Sequence, residues 1–159
     1  MDENVQAALS AIDSTKGIYL LVFHRQQVTT QSIKVGRLGS CQLMPGYYLY
    51  VGSAFGPGGI RARVTHHLNA QTRQHWHLDY IKPHLKFLAL GITLNRRELE
   101  CRWAASLMEI PTSQPLLSGL GSSDCQCATH LAYLPFQVEY RELLQQISAQ
   151  LDNIQFIHQ

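Results

Sequence analysis

Arg63 and His67 stand four residues apart in a segment, residues 60–69, whose apolar positions recur with helical spacing. On a helical wheel both side chains lie beside the apolar stripe, so packing would hold their stems while their tips stay reachable. A guanidinium can neutralise phosphate charge, and an imidazole can transfer a proton near neutral pH. The alternative is structural: an arginine whose stem covers the core and a histidine satisfied by hydrogen bonds. The apolar stripe consists of Ile60, Val64 and Leu68.

Glu100 occupies a similar position on a second predicted helix, residues 96–110. It flanks the apolar stripe of that helix, whereas Glu98 and Glu109 point towards solvent. Of the three glutamates, only Glu100 is therefore placed to sit in a cleft beside the core. The alternative is that Glu100 only complements the positive end of the helix dipole. The stripe of this helix consists of Leu99, Trp103 and Leu107.

The strands and helices that position these side chains are predicted from the spacing of the apolar residues. Along the chain this spacing changes from every second residue, as in a strand, to every 3.6 residues, as in a helix. Strands are predicted at 18–23, 27–35 and 47–52, and a further apolar strand at 85–94. Because strands that are close in sequence usually pair antiparallel, we expect a small meander. Helices are predicted at 3–13, 60–69 and 96–110, with one or two helical turns before Pro83, and a strand at 131–136 and a helix at 138–151 follow.

These elements predict an α/β (α+β) fold with a small, mainly antiparallel three-stranded sheet flanked by helices and a C-terminal strand and helix extension. The length of 159 residues fits one domain over 1–159, with a core at about 17–110 and an extension at 111–159. No apolar run approaches a membrane span, and the N-terminal segment lacks an apolar h-region, so we expect a cytoplasmic protein without membrane association. The net charge of +2 is compatible with a polyanionic partner but does not demand one.

Cysteine and histidine cluster towards the C-terminus as Cys125-x-Cys127-x-x-His130, and Cys101 follows Glu100 in sequence. No export signal accompanies these cysteines, so a disulfide framework is not expected. Three thiolates and one imidazole would make a Cys₃His zinc site. The same residues could instead form a hydrogen-bonded loop that closes over the helix of Glu100. A third interpretation makes Cys125 and His130 the nucleophile and base of a thiol-dependent hydrolase.

A further metal site is predicted at His75, His77 and Asp79 if their segment is a strand. Alternate residues of a strand point to the same face, so the three side chains would then lie together. A helical turn fits the pattern better and separates the three side chains. Trp76 and Tyr80 would then form the packing face of that turn.

Two tyrosines extend the pattern of candidate residues, since Tyr19 ends a Gly-Ile-Tyr triplet and Tyr50 opens a Tyr-Val-Gly triplet. Together with the helical residues, they resemble the GIY-YIG nuclease superfamily over residues 17 to about 110. The individual motifs are short, and the resemblance depends on their order along the chain. After the two tyrosines that order is a glycine-rich loop, Arg63, His67 and Glu100.

Two more segments narrow the resemblance to one small prokaryotic branch of GIY-YIG-like proteins. Residues 74–80 (QHWHLDY) and 119–131 (GLGSSDCQCATHL) are similar to the WHxDY and GSSDCxCxxHL motifs of that branch. Some of its members are fused to DNA glycosylases, which implies a link to DNA repair. The chain departs from compact members in the 31-residue interval from Tyr19 to Tyr50 and in a longer loop before Arg63. Both departures would reshape the cleft and affect substrate preference.

The resemblance implies a metal-dependent endonuclease that hydrolyses phosphodiester bonds of DNA, with RNA left open as a substrate. Glu100 would bind Mg²⁺ or Mn²⁺, Arg63 would neutralise developing charge, and His67 would relay a proton or hold a phosphate. Tyr19 and Tyr50 would activate the water as bases or only orient it. A homodimer could cut both strands, and the alternative function is a catalytically idle nucleic-acid-binding module, with or without zinc. Phosphate binding is expected at Gly52, Ser53, Gly58, Gly59 and Arg61.

Overall fold

A computed structural model describes residues 3–71 and 73–158 of the chain. Its helices and strands are numbered in chain order. The helices are α1 (Glu3–Ile12), α2 (Gly59–Leu68), α3 (Leu78–Ile81), α4 (Leu99–Glu109) and α5 (Tyr140–Gln150), with a 3₁₀ turn at Lys82–His84. The strands are β1 (Gly17–Arg25), β2 (Ile33–Val35), β3 (Gly39–Cys41), β4 (Gly46–Ala54), β5 (Lys86–Leu94), β6 (Gln114–Pro115), β7 (Leu131–Leu134) and β8 (Gln155–His158).

Strand β1 lies at the centre of an antiparallel sheet that has six strands within the described residues, in the order β6-β7-β4-β1-β5-β8. From Gly17 to Phe23 it is buried, which accounts for its nearly continuous apolar sequence. The α/β class predicted from the sequence is confirmed. The predicted size of the sheet is too small, because β6 and β7 extend it beyond β4 and β8 extends it beyond β5.

The predicted strand at 27–35 is wrong in extent and in pairing. Only its last three residues form a strand, β2, and they pair with β3 in a separate two-stranded ribbon. β1 instead pairs with β4 and β5, two nine-residue strands that are buried over most of their length. The polar residues before β2 offer little apolar surface to bury, and the Thr29 hydroxyl instead accepts a hydrogen bond from the Leu43 N–H at 3.0 Å.

The alternating side chains of β1 pack against helices on both faces of the sheet. One face packs against α1, α2 and α3, and the other packs against α4 and α5. On the second face, Trp103 of α4 is 1% exposed and donates its indole N–H to the Asp152 carbonyl at 3.0 Å. Truncating such a side chain typically costs about 3–5 kcal/mol. This packing holds α4 firmly against the sheet, and Glu100 projects from its first turn.

The predicted helices are present in the described chain, with ends shifted by a few residues. α4 begins at Leu99 rather than at residue 96, so that Glu100 remains in the first turn. β6 and β8 have two and four residues and were not predicted, because so short a segment carries no readable period. Within residues 3–71 and 73–158, none of the helices combines the length and apolar character needed to cross a membrane.

Candidate active site

A polar cleft of about 400 Å³ opens beside the start of β1 and the end of β4. Glu100 reaches this cleft from α4 and is 27% exposed, and Arg63 reaches it from α2. The remaining walls come from the segments at 75–77 and 121–124. The predicted site residues that line the cleft are Tyr19, Tyr50, Gly52, Ser53, Arg63 and Glu100.

Tyr19 and Tyr50 face the same side of the sheet because of the register between β1 and β4. Tyr19 pairs with Gly52 and Leu21 pairs with Tyr50, which places the two phenol rings diagonally, with centroids 6.4 Å apart. A Cβ atom added at Gly52 would overlap Oη and Cζ of Tyr19. The glycine of the Tyr-Val-Gly triplet therefore provides the space into which the Tyr19 phenol extends.

We expect Gly52→Ala to displace the Tyr19 ring and to lower the free energy of unfolding by about 1–3 kcal/mol, the usual cost of overpacking a core. Gly56→Ala is the matched control, because a Cβ at Gly56 meets no atom within 4 Å and its backbone does not adopt a positive φ. Urea unfolding followed by circular dichroism measures both variants. Equal stability of the two would contradict this steric role for Gly52.

His67 lies directly behind Tyr19 and connects it to Asp79. Its Nε2 is 2.9 Å from Tyr19 Oη, and its Nδ1 is 3.3 Å from Asp79 Oδ1. An ionised carboxylate only accepts hydrogen bonds, so Nδ1 carries the proton and donates to Asp79, while Nε2 accepts from the Tyr19 hydroxyl. The expectation of a reachable His67 is wrong: the residue is 1% exposed, because its ring packs against Tyr50 and Trp76.

Asp79 is a buried carboxylate surrounded by hydrogen-bond donors, and its side chain is 0% exposed. Its Oδ2 accepts from His66 Nε2 at 3.1 Å. The same oxygen accepts from the backbone N–H groups of His75 and Trp76 at 3.0 and 2.9 Å. The Lys82 ammonium lies 3.2 Å from Oδ1. Asp79 therefore joins α2, α3 and the segment before α3 into one polar network beneath the cleft.

Burial and hydrogen bonding set the charges of Asp79 and His67. Burial by itself would raise the pKa of the Asp79 carboxyl, but hydrogen bonds from His67 and from the backbone of Trp76 and His75 outweigh it and hold that pKa well below its usual range. Burial lowers the pKa of His67, and its hydrogen bond with Asp79 opposes this effect only in part. At neutral pH the pair is thus a carboxylate beside a neutral imidazole, which can take up one proton.

We expect the protein to lose stability as the pH falls below about 6.5, with His67 as one cause. The pKa of His67 is lower in the folded protein than its ordinary value of 6.5, so its stabilising contribution is present above pH 6.5 and is lost below it as the unfolded chain takes up the proton. One such proton contributes a slope of at most about 1.4 kcal/mol per pH unit. Urea unfolding at several pH values should give a smaller slope for His67→Gln than for the wild type, and identical slopes would contradict the prediction.

Both site tyrosines are protonated phenols at neutral pH. Burial raises the pKa of Tyr19 well above its usual value, Tyr50 and Glu100 add to the increase, and Arg63 opposes it. Burial also raises the pKa of Tyr50, with Glu100 as the next largest cause. A cation near Glu100 would offset part of this effect. Tyr19 differs from Tyr50 in that its hydroxyl already donates to a neutral imidazole, His67 Nε2.

Arg63 is oriented by Trp76, because its Cζ lies 4.1 Å from the centroid of the indole ring. Trp76 also contacts His67, with ring centroids 5.2 Å apart. The sequence predicted Trp76 only as a packing residue, and neither this role nor that of Asp79 was anticipated. The signal that could have indicated both was their occurrence together in the segment at 74–80.

The start of α2 lies outside the cleft, although phosphate binding was predicted there. Gly59 has a φ of 57° and sits against the Thr15 carbonyl, where a side chain would not fit. Ile60 N–H donates to that same carbonyl at 2.9 Å, so the chain itself uses a donor that an anion would need. Arg61 pairs with Asp13 at 3.2 Å on the surface. The residues of this prediction that lie outside the cleft are Gly58, Gly59 and Arg61.

The side chains of His75, His77 and Asp79 do not come together in the described structure, because their segment leads into α3 rather than forming a strand. Asp79 turns towards α2, as described above. His77 Nδ1 instead accepts the Gly121 N–H at 3.1 Å, which ties this segment to the loop at 121–124. The preference for a helical turn over a strand is confirmed.

Two groups of side chains in the described parts of the chain could hold a metal ion, with ligand atoms within 4.8 Å of one another in each group. One group contains Asp79, which already pairs with the Lys82 ammonium at 3.2 Å and is a poor cation site for that reason. The other contains three free thiols. The two groups are His66, His67 and Asp79, and Cys101, Cys125, Cys127 and His130.

The fold and the cleft define an α/β protein in which an antiparallel sheet carries a polar candidate active site at one end. The family model described as "Domain of unknown function DUF123" matches residues 18–153, and the chain belongs to this family. The match extends from β1 to α5, so it includes the tyrosine-bearing strands and the loop with Cys125. No curated protein and no solved structure matches the chain.

Proposed function

We propose that this protein is a metal-dependent endonuclease of the GIY-YIG type that hydrolyses phosphodiester bonds of DNA. Such hydrolysis needs an activated water, neutralisation of phosphate charge and a place for a divalent cation. The cleft holds a residue type suited to each need. The observation that carries the proposal is this single space of about 400 Å³, faced by Tyr19, Tyr50, Arg63 and Glu100.

Glu100 would hold a Mg²⁺ or Mn²⁺ ion in the cleft. Mg²⁺ is usually bound by one or two carboxylates together with waters and substrate phosphate. The partly exposed Glu100 carboxylate leaves room for such ligands, and Asp124 lines the same cleft as a further carboxylate. When bound, the ion would polarise the phosphate and lower the pKa of a bound water.

Tyr19, His67 and Asp79 would form the path for the proton of the attacking water. Tyr19 Oη accepts that proton while it donates its own proton to His67 Nε2, 2.9 Å away. The resulting imidazolium is stabilised by the Asp79 carboxylate, 3.3 Å from Nδ1. This route lets a tyrosine whose pKa is raised by burial act as a base without becoming a free phenolate.

Arg63 would neutralise the charge that develops on the phosphate, because its planar guanidinium lines the cleft and is held over Trp76. Tyr50 would orient the water or the phosphate from the adjacent strand. The proposed partner is DNA, in a role in DNA repair. Since one chain offers one such cleft in its described residues, a homodimer is the form that we expect to cut both strands of a duplex.

The proposal is tested with labelled single-stranded, duplex and branched DNA, and with RNA of the same sequences, in Mg²⁺, in Mn²⁺ and in chelator. We expect metal-dependent cleavage of at least one DNA substrate and a lower rate for Tyr50→Phe, which keeps the ring and loses the hydroxyl. Binding of these substrates without cleavage under any condition would favour the idle nucleic-acid-binding module. In that case zinc held by Cys101, Cys125, Cys127 and His130 would have a purely structural role.

A thiol-dependent hydrolase is the second candidate function, because Cys125 Sγ is 3.4 Å from His130 Nε2. His130 Nδ1 is in turn 3.6 Å from Glu100 Oε1, which is the order of a nucleophile, a base and an orienting carboxylate. Hydrolysis of activated carboxylic esters in chelator, abolished by Cys125→Ser, would favour this candidate. Metal-dependent cleavage of DNA without esterase activity would exclude it.

A further inference from the structure

A cluster of three cysteines and one histidine lies beside Glu100 and takes no part in the proposed hydrolysis. Cys101 follows Glu100 in the first turn of α4, and the other members come from the loop before β7. Their candidate ligand atoms all lie within 4.8 Å of one another. In a tetrahedral site with Zn–S bonds of about 2.3 Å, neighbouring ligand atoms are about 3.5–4 Å apart. The cluster is therefore already close to the size of a zinc site.

The backbone of the loop holds the cysteines in place through its own hydrogen bonds. Gly119 N–H donates to the Ala128 carbonyl at 2.6 Å, and His130 N–H donates to the Leu120 carbonyl at 2.7 Å. These bonds draw the two arms of the loop together and leave the Cys-x-Cys turn between them. Val51 N–H donates to the His130 carbonyl at 3.0 Å, which fastens the loop to β4. The ligand atoms are thus preorganised by the fold.

His130 is 2% exposed, and its two ring nitrogens face different groups. Nε2 is 3.4 Å from Cys125 Sγ. Nδ1 is buried without a hydrogen-bond partner among the described residues, and Glu100 Oε1 lies 3.6 Å from it. A buried nitrogen without a partner is unusual and calls for a physical reason. Metal-binding histidines commonly donate their second ring N–H to a carboxylate, and a small movement would complete that bond here.

We propose that the cluster binds one Zn²⁺ through three thiolates and His130 Nε2, and that His130 Nδ1–H donates to Glu100. Three protons leave the thiols as the three Zn–S bonds form, and His130 binds as a neutral imidazole. Thiolates and imidazole select zinc over Mg²⁺, which prefers oxygen ligands. The zinc assignment does not depend on the nuclease proposal. Only the connection that Glu100 makes between the zinc site and the proposed catalytic cleft rests on that proposal. The proposed ligands are Cys101, Cys125, Cys127 and His130.

The presence of three thiols at one point favours a metal over the other uses of cysteine. A nucleophile requires one thiolate and a base, and a disulfide joins two sulfurs. Neither use explains why Cys101, on a helix, meets both cysteines of a distant loop. All four cysteines of the chain, which lie within its described parts, are free thiols, and Cys41 is remote in β3. Cys41 therefore provides a matched control.

The zinc content of protein purified under reducing conditions without added metal tests the assignment. We expect about one zinc per chain for the wild type and for Cys41→Ser, and far less for Cys127→Ser. Cys101→Ser, at an exposed position, serves the same purpose if Cys127→Ser folds poorly. Cobalt replacement should give the visible spectrum of a tetrahedral thiolate site. Equal zinc contents in Cys127→Ser and Cys41→Ser, an absence of zinc from the wild type, or a disulfide within the cluster would overturn the proposal.

The contact with Glu100 is tested by zinc affinity, measured by competition with a chromogenic chelator in the absence of nucleic acid. We expect Glu100→Ala to weaken zinc binding by about 10–100-fold, the usual effect of removing a carboxylate that orients a histidine ligand. Glu98→Ala, at an exposed residue that pairs with Arg96, should leave the affinity unchanged. Unchanged affinity in Glu100→Ala would overturn the contact. Because zinc is measured without DNA, its binding and the nuclease proposal can fail separately.

Discussion

Glu100→Gln is expected to reduce metal-dependent DNA cleavage by about 10³-fold. Glutamine keeps the size of the side chain but removes the negative charge that would bind Mg²⁺ directly. Single-turnover rates at increasing Mg²⁺ measure the effect. A requirement for more Mg²⁺ should accompany the lower rate, because the remaining ligands would be water and substrate.

Glu98→Gln is the matched control for this substitution. Glu98 immediately precedes α4, its side chain is 61% exposed, and it pairs with Arg96. Its rate and its Mg²⁺ dependence should match those of the wild type. Cleavage by Glu100→Gln within about threefold of the wild-type rate would contradict the role of Glu100 in metal binding.

Asp79→Asn is expected to lower both stability and activity. It leaves the Lys82 ammonium, which is 7% exposed, without its carboxylate, and breaking a buried ion pair in this way costs about 3–5 kcal/mol. It also removes the charge that would stabilise a protonated His67. We expect the cleavage rate to fall by about 10²–10⁴-fold, the usual contribution of general acid–base catalysis. Urea unfolding measures the first effect, and single-turnover cleavage measures the second.

A double-mutant cycle tests whether Asp79→Asn lowers the cleavage rate through His67. If Asp79 acts through His67, adding Asp79→Asn to His67→Gln should lower the rate little further, while additive losses would contradict the proton path. Rates are compared at a temperature at which circular dichroism shows every variant folded. Asp13→Asn is the control, since Asp13 is 79% exposed and its pair with Arg61 lies at the surface. It should change neither stability nor rate measurably.

The candidate site was predictable from sequence where its residues belong to a regular element. Arg63 and Glu100 flank the apolar stripes of their helices, and both line the cleft. The two tyrosines were predicted from the order of motifs in the resemblance, and it is the register of β1 and β4 that puts both on one face. The helical period therefore indicated where Arg63 and Glu100 lie on their helices, whereas the meeting of these side chains with the tyrosines was expected only from the resemblance. For His67 the wheel position was right and the predicted exposure was wrong.

The exposure of His67 was mispredicted because a helical wheel contains no information about what packs on the helix. The segment with Trp76 and Asp79 covers that side of α2 and closes the ring off from solvent. The predicted phosphate site at Gly59 shows the same limit. Glycines at the start of a helix can leave backbone N–H groups open to an anion, or they can allow another segment to pack closely. Only the Thr15 carbonyl, which lies against Gly59 and accepts the Ile60 N–H, shows that these glycines serve close packing.

By itself, the sequence determined the helices, the long strands and the α/β class, because the burial of one face leaves a repeating pattern in neighbouring residues. Only the tertiary structure decided that β1 pairs with both β4 and β5 and that Asp79 supports His67. It also decided that Cys101 of α4 meets the cysteines of the later loop. These contacts join segments far apart in the chain, and a contact between single polar residues has no period to reveal it.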